Sequence, residues 1–105
     1  MKTILALACL CLALPVHAAS EHLATPGTAY YAANCFNCHG TEGRINSAIP
    51  AIAGRDRDFL LAALSAYKAG SKPATIMHQL AKGYTDAELA ALADYFSRQT
   101  QGAER

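Results

Sequence analysis

The sequence lacks a long apolar run, an excess of either charge, strand-like alternation and a spread of cysteines, and each absence closes off a class of protein. Its longest apolar stretch, Ile4 to Leu14, falls short of the roughly 20 apolar residues that a membrane-spanning helix needs. Lys and Arg total 9 against 8 for Asp and Glu, with no run of either sign, so there is no electrostatic footprint for nucleic acid. No segment alternates apolar and polar residues over strand length, which leaves no sheet to predict. Of the 4 cysteines, Cys9 and Cys11 lie inside the apolar stretch. Cys35 and Cys38 are too close together to staple distant segments, which argues against a disulfide framework.

What is present begins with Lys2, the apolar stretch, then Pro15, Val16, His17 and Ala18. This is the layout of a secretory signal peptide, and it predicts two units: a leader over residues 1–18, cleaved after about Ala18, and an exported domain over residues 19–105. The rival reading, a lipid on the thiol of Cys9 or Cys11, lacks the small-residue context such a site needs. The exported part is small for a self-sufficient hydrophobic core, so something other than disulfides must reinforce it.

Residues 19–27 read as a polar lead-in whose Pro26 can open a helix. Thr28 to Ala33 then forms a short helical stretch running into Cys35, and the glycines and Pro50 between Gly40 and Gly54 predict an ordered loop. Asp56 or Asp58 caps a second helix, in which Phe59, Leu60, Ala63, Leu64 and Tyr67 recur at helical spacing until Gly70 stops it. A third segment runs from Pro73 to Lys82 and ends at Gly83. Thr85 with Glu88 makes a capping box for a last helix, with Leu89, Leu92, Ala93 and Phe96 inward and Asp94 and Arg98 pointing away. The fold class is all-α, with three to four short helices, no repeats and no second globular domain.

The chemistry sits in Cys35-Phe36-Asn37-Cys38-His39, the attachment motif for haem c. Two thiols add across the two vinyl groups of a haem, and the histidine that follows is held beneath the iron as proximal ligand. A single covalent haem would also supply the apolar surface that a small domain lacks. A thioredoxin-like dithiol would need a βαβ context that this chain does not offer. A structural zinc site would need a fourth ligand beside Cys35, Cys38 and His39.

The sixth iron ligand points to Met77, the one methionine after the leader. Ile76, Met77, Leu80 and Ala81 cover a continuous apolar arc, which turns the thioether inward. His78 falls outside that arc beside Lys82 and reads as a surface histidine, and His22 is a weaker candidate in the lead-in. With His39 and Met77 both bound the iron has no open position, which favours single-electron transfer over oxygen chemistry and argues against an enzyme. The Pro50 carbonyl can accept the other ring hydrogen of His39. Arg44, Arg55, Arg57, Lys72 and Lys82 read as solvated charges rather than propionate partners.

On these residues the chain resembles a class I cytochrome c over essentially all of residues 19–105. That resemblance implies a first helix crossed by the last, with Tyr31 set against Tyr95 and Phe96. The stretch from Thr75 to Leu89, followed by Ala93-Asp94-Tyr95-Phe96-Ser97, is similar to the cytochrome subunit of flavocytochrome c sulfide dehydrogenase. In that family the motif histidine and the methionine of this stretch are axial ligands, which map onto His39 and Met77. Some members carry two haem motifs and this chain carries one, so it resembles the single-haem members or one half of a dihaem cytochrome, and the resemblance lets either be a free carrier. The resemblance implies a periplasmic haem subunit that takes electrons from a partner flavoprotein bearing FAD. A free-standing shuttle serving other redox proteins shares all the haem chemistry, whereas a ligand-binding haem protein would need a displaceable sixth position.

Overall fold

The computed structural model describes residues 27–101. The leader, the expected cleavage after Ala18, Cys9, Cys11, His22 and Pro26 lie outside the described residues. Between Thr28 and Gly40 there is neither a glycine nor a proline to break a helix, and α1 accordingly spans Thr28–His39. It runs past the expected end at Ala33 and carries the whole attachment motif. Gly40, at φ 78, ends α1, and its N–H closes the last turn on the Phe36 carbonyl at 2.9 Å.

The loop that follows contains a 3₁₀ turn at Thr41–Gly43. α2 spans Arg57–Ala69, and of the two candidate caps it is Asp56 whose carboxylate accepts the Phe59 N–H, at 2.8 Å. Asp58 sits inside the first turn, where a negative charge meets the helix dipole. Gly70, with φ 75, stops the helix as expected. α3 spans only Met77–Lys82, shorter than the segment expected from Pro73, because β-branched Thr75 and Ile76 precede it and Ile76 lies outside helical geometry at φ −136 and ψ −23. α4 spans Asp86–Ser97 and opens on the expected capping box, with Thr85 and Glu88 each bonding the other's backbone N–H.

The architecture is all-α, and no strand occurs among the described residues. α2 packs on α3 and α4, and α4 packs on α1. The core is Ala32, Leu60, Leu89, Leu92, Ala93 and Phe96, of which Leu89 and Leu92 are the largest side chains fully enclosed. Two expectations change. The ring that meets the C-terminal aromatics is Phe36, 6.2 Å from Phe96 and 6.5 Å from Tyr95, because α1 continues past Ala33 and presents its later turn to α4. Tyr31 also borders the core, but its ring stands edge-on to Tyr84 at 6.2 Å. Asp94 does not point freely away: it pairs with Arg98, and its side chain is only 14% exposed.

Candidate functional site

Cys35, Cys38 and His39 are separated by three and one positions on a continuous helix, and at about 100° per residue they fall within one arc of roughly 100°. The helix thus presents both thiols and the imidazole on one face. Cys35 is half-buried and Cys38 exposed. Burial, and then the neighbouring Cys38, push the Cys35 thiol up to about 11. That is the reverse of what a reactive dithiol requires, since such thiols are depressed so that the thiolate forms near neutrality. Among the described residues no group of three or more His, Cys, Asp and Glu side chains is placed to hold a metal ion.

His39 is 9% exposed, and its Nδ1 lies 2.7 Å from the carbonyl oxygen of Pro50. A carbonyl only accepts, so Nδ1 carries the ring proton and Nε2 keeps a lone pair for a metal. The expectation for Pro50 is met. The loop reaches back through short turns: Ile45 N–H bonds the His39 carbonyl at 2.9 Å, and Ile52 and Ala53 N–H both bond the Gly43 carbonyl, at 2.9 and 3.0 Å. Gly54 N–H then bonds Phe96 O at 2.8 Å, tying the loop to α4.

On α3 the burial pattern is shifted from the expected arc. Ala81 is buried, Met77 and His78 are half-buried, and Ile76 and Leu80 are exposed. At about 100° per residue Ala81 lies between Met77 and His78, so those three form the inward face. His78 is therefore not a surface histidine: its Nδ1 is buried with no hydrogen-bond partner. The apolar arc read from the sequence was extended toward Ile76 and Leu80, whereas packing centres it on Ala81.

The exposed large apolar side chains test whether a haem fits these residues. Ile45, Ile49, Phe59, Ile76 and Leu80 are between 39% and 55% exposed, and they belong to the loop after His39, to α2 and to α3. α1 and α3, the helices bearing His39 and Met77, share no interface comparable with those that α2 and α4 make. A set of uncovered apolar side chains around two such helices is what a large apolar cofactor would cover, and the residues fit the group. Of these, the helical spacing of the sequence places Phe59, Ile76 and Leu80 on apolar helix faces, which a protein core and a cofactor would cover alike.

The cations divide. Arg44 pairs with Glu42 and bonds the Thr100 carbonyl at 3.0 Å; Arg57 pairs with Asp58 at 2.8 Å. Lys72 stands 5.6 Å from the Tyr67 ring. Lys82 is exposed at the end of α3. Arg55 bonds the Ala51 carbonyl and stands over the Phe59 ring.

Residues 22–96 match the family model described as cytochrome c oxidase, cbb3-type, subunit III. The chain is 43% identical over 63 residues to the cytochrome subunit of sulfide dehydrogenase of Chlorobaculum tepidum, a match covering 60% of this chain and 57% of that protein. It is 35% identical over 103 residues to cytochrome c-553 of Nitratidesulfovibrio vulgaris, covering 93% of this chain and 99% of that one. A third relative, the thiosulfate dehydrogenase electron acceptor of Stutzerimonas stutzeri, is 33% identical over 67 residues, and the match spans 31% of its length. The family match, together with an alignment that runs nearly end to end on a small cytochrome, leads to one conclusion: the chain belongs to the cytochrome c family and is an electron carrier with a covalent haem c.

Proposed function

We propose that Cys35 and Cys38 anchor one haem c, that His39 and Met77 are its proximal and distal iron ligands, and that residues 19–105 act in the periplasm after cleavage near Ala18. In that setting the chain serves as the haem subunit of a sulfide-oxidising flavocytochrome, receiving electrons from an FAD-bearing flavoprotein. The observation that carries the site assignment is the His39 to Pro50 contact, which leaves Nε2 the free ring nitrogen on the face that also bears both thiols. Similarity to the sulfide dehydrogenase subunit supports the partner, over the part of that protein which the chain spans.

The haem, when bound, supplies a one-electron couple at iron. The chain's residues do the rest. Cys35 and Cys38 would hold the group covalently through their sulfurs. The Pro50 carbonyl holds the Nδ1 proton and with it the imidazole plane. Met77 provides a soft thioether, which raises the reduction potential relative to a second imidazole. With His39 and Met77 both holding the iron, sulfide would have no site there, and its oxidation would fall to the flavoprotein.

A free-standing shuttle is the second reading, favoured by the near-complete alignment with a cytochrome c-553. The test is purification from the periplasm of a host that also expresses a sulfide dehydrogenase flavoprotein. Recovery of residues 19–105 plus one haem, bound to the flavoprotein, supports the subunit; recovery of the haem protein alone supports the shuttle. A bare polypeptide would refute the site assignment.

A further inference from the structure

We propose that Arg55 is a positioning residue for the His39 imidazole, acting through the main chain that separates them; the inference rests on His39 being an iron ligand. The Arg55 Nε–H donates to the Ala51 carbonyl at 2.8 Å, and its guanidinium stands 5.8 Å from the centre of the Phe59 ring. The Ala51 carbonyl belongs to the peptide immediately after the one whose carbonyl, on Pro50, receives the His39 Nδ1 proton at 2.7 Å. Proline has no N–H through which the loop could be fixed at that point. Downstream, Ile52 and Ala53 are held by the Gly43 carbonyl. Arg55 therefore holds the link between that anchor and the ligand's acceptor.

The choice of arginine follows from its chemistry. The bond to Ala51 is charge-assisted, which makes it stronger than a neutral one. A planar guanidinium also stacks on an aromatic face, and Phe59 is one of the exposed apolar residues beside the site. Arg55, though exposed, thus bridges the loop and α2 through a main-chain acceptor and an aromatic face. Loss of the clamp leaves the Ala51–Ile52 peptide held only from its N–H side, by the Gly43 carbonyl, and gives the preceding Pro50–Ala51 peptide more freedom, which weakens the bond to Nδ1 and loosens the ring.

The experiment measures solvent exchange of the His39 Nδ1 proton by NMR in the reduced holoprotein, with the Leu92 amide as an internal monitor of global opening. In Arg55→Met the Nδ1 proton should exchange about tenfold faster than in the parent, the order expected from losing one hydrogen bond. Arg55→Lys, which keeps the charge and one donor but not the fork, should fall between the two, and the Leu92 rate should not change. Arg57→Met, which removes a neighbouring cation paired with Asp58, should match the parent. An Arg55→Met rate within about twofold of the parent overturns the proposal, as does equal acceleration of the Leu92 amide. Should Arg55→Met not yield holoprotein, Arg55→Gln is read on the same scale. A parent whose reduced spectrum lacks the strongly upfield-shifted ring protons of an iron-bound His39 counts against the ligand assignment, and is read separately from the Arg55 comparison.

Discussion

His39 Nδ1 and the carbonyl oxygen of Pro50 stand 2.7 Å apart across eleven residues, so the imidazole is oriented by backbone rather than by another side chain. A carboxylate in that place would titrate and could lose its hold on the ring at low pH. A peptide carbonyl cannot, and because it only accepts it places the ring proton on Nδ1. The arrangement depends on how the loop between α1 and α2 is folded, and Gly43 is its pivot.

Gly43 is buried with φ 76, and a Cβ there would lie 2.6 Å from Ile52 Cγ1 and 2.9 Å from the Phe96 ring. Gly43→Ala combines a left-handed backbone with an overpacked contact to the core, and should destabilise the holoprotein by about 2–4 kcal/mol. Denaturant unfolding measures it. A loss under about 0.5 kcal/mol would mean the loop can re-form around a methyl group.

Much of this was legible in the sequence, because the signals were local. Asp56, Gly70, Thr85 and Glu88 act within a turn of their own positions, and the structure uses each as its residue type suggests. The Pro50 acceptor was legible because the motif histidine needs a partner for its second nitrogen. What escaped was long-range. The burial of His78 depends on α3 turning its Ala81 face inward, and the Phe36 contact with Phe96 depends on α1 continuing to His39. The Arg55 clamp is local, reaching a carbonyl four residues back, but it lies in an irregular loop where no period or cap marks it in the sequence.

Thr85 receives the Glu88 N–H at 3.2 Å and Glu88 receives the Thr85 N–H at 2.8 Å. Thr85→Ala should cost about 1 kcal/mol of stability. Asp86→Asn, which breaks the exposed pair with Lys68, should cost less than that, since such pairs contribute about 0.2–1 kcal/mol. Thermal unfolding of the two variants side by side checks the order.

One attachment motif implies one haem per chain. Replacing Cys35 and Cys38 with Ala should leave little folded protein, because the described core holds few large side chains and the cofactor supplies the missing apolar surface. Intact mass and far-ultraviolet dichroism of the exported protein test both statements. A well-folded double variant at normal yield would show that the helices support themselves.

Met77 and His78 are adjacent and both half-buried, so the distal ligand is decided by experiment on the pair. Met77→Ala should abolish the weak near-infrared sulfur-to-iron absorption of the oxidised protein and let the reduced protein bind carbon monoxide. His78→Ala should leave that absorption unchanged while removing an imidazole whose Nδ1 has no partner, so its stability should fall little or even rise. The opposite pattern, with His78→Ala altering the ligand field and Met77→Ala leaving it intact, would reassign the ligand.

The last prediction concerns sulfide. If His39 and Met77 occupy both axial positions, the protein by itself offers sulfide no metal site, and it should accept electrons yet not turn sulfide over. The near balance of charge, 9 basic against 8 acidic residues, gives little long-range steering toward strongly charged partners, which favours a standing complex over repeated diffusional encounters. Sulfide-dependent haem reduction should therefore be slow for the isolated cytochrome at catalytic concentrations, and fast once a sulfide dehydrogenase flavoprotein is added. The acceleration should survive moderate salt, because a complex held by apolar contact is screened less than one held by surface charge. Rapid turnover by the cytochrome alone would sink the subunit reading. Failure to associate with any such flavoprotein, alongside fast electron exchange with soluble redox proteins, would establish the shuttle instead.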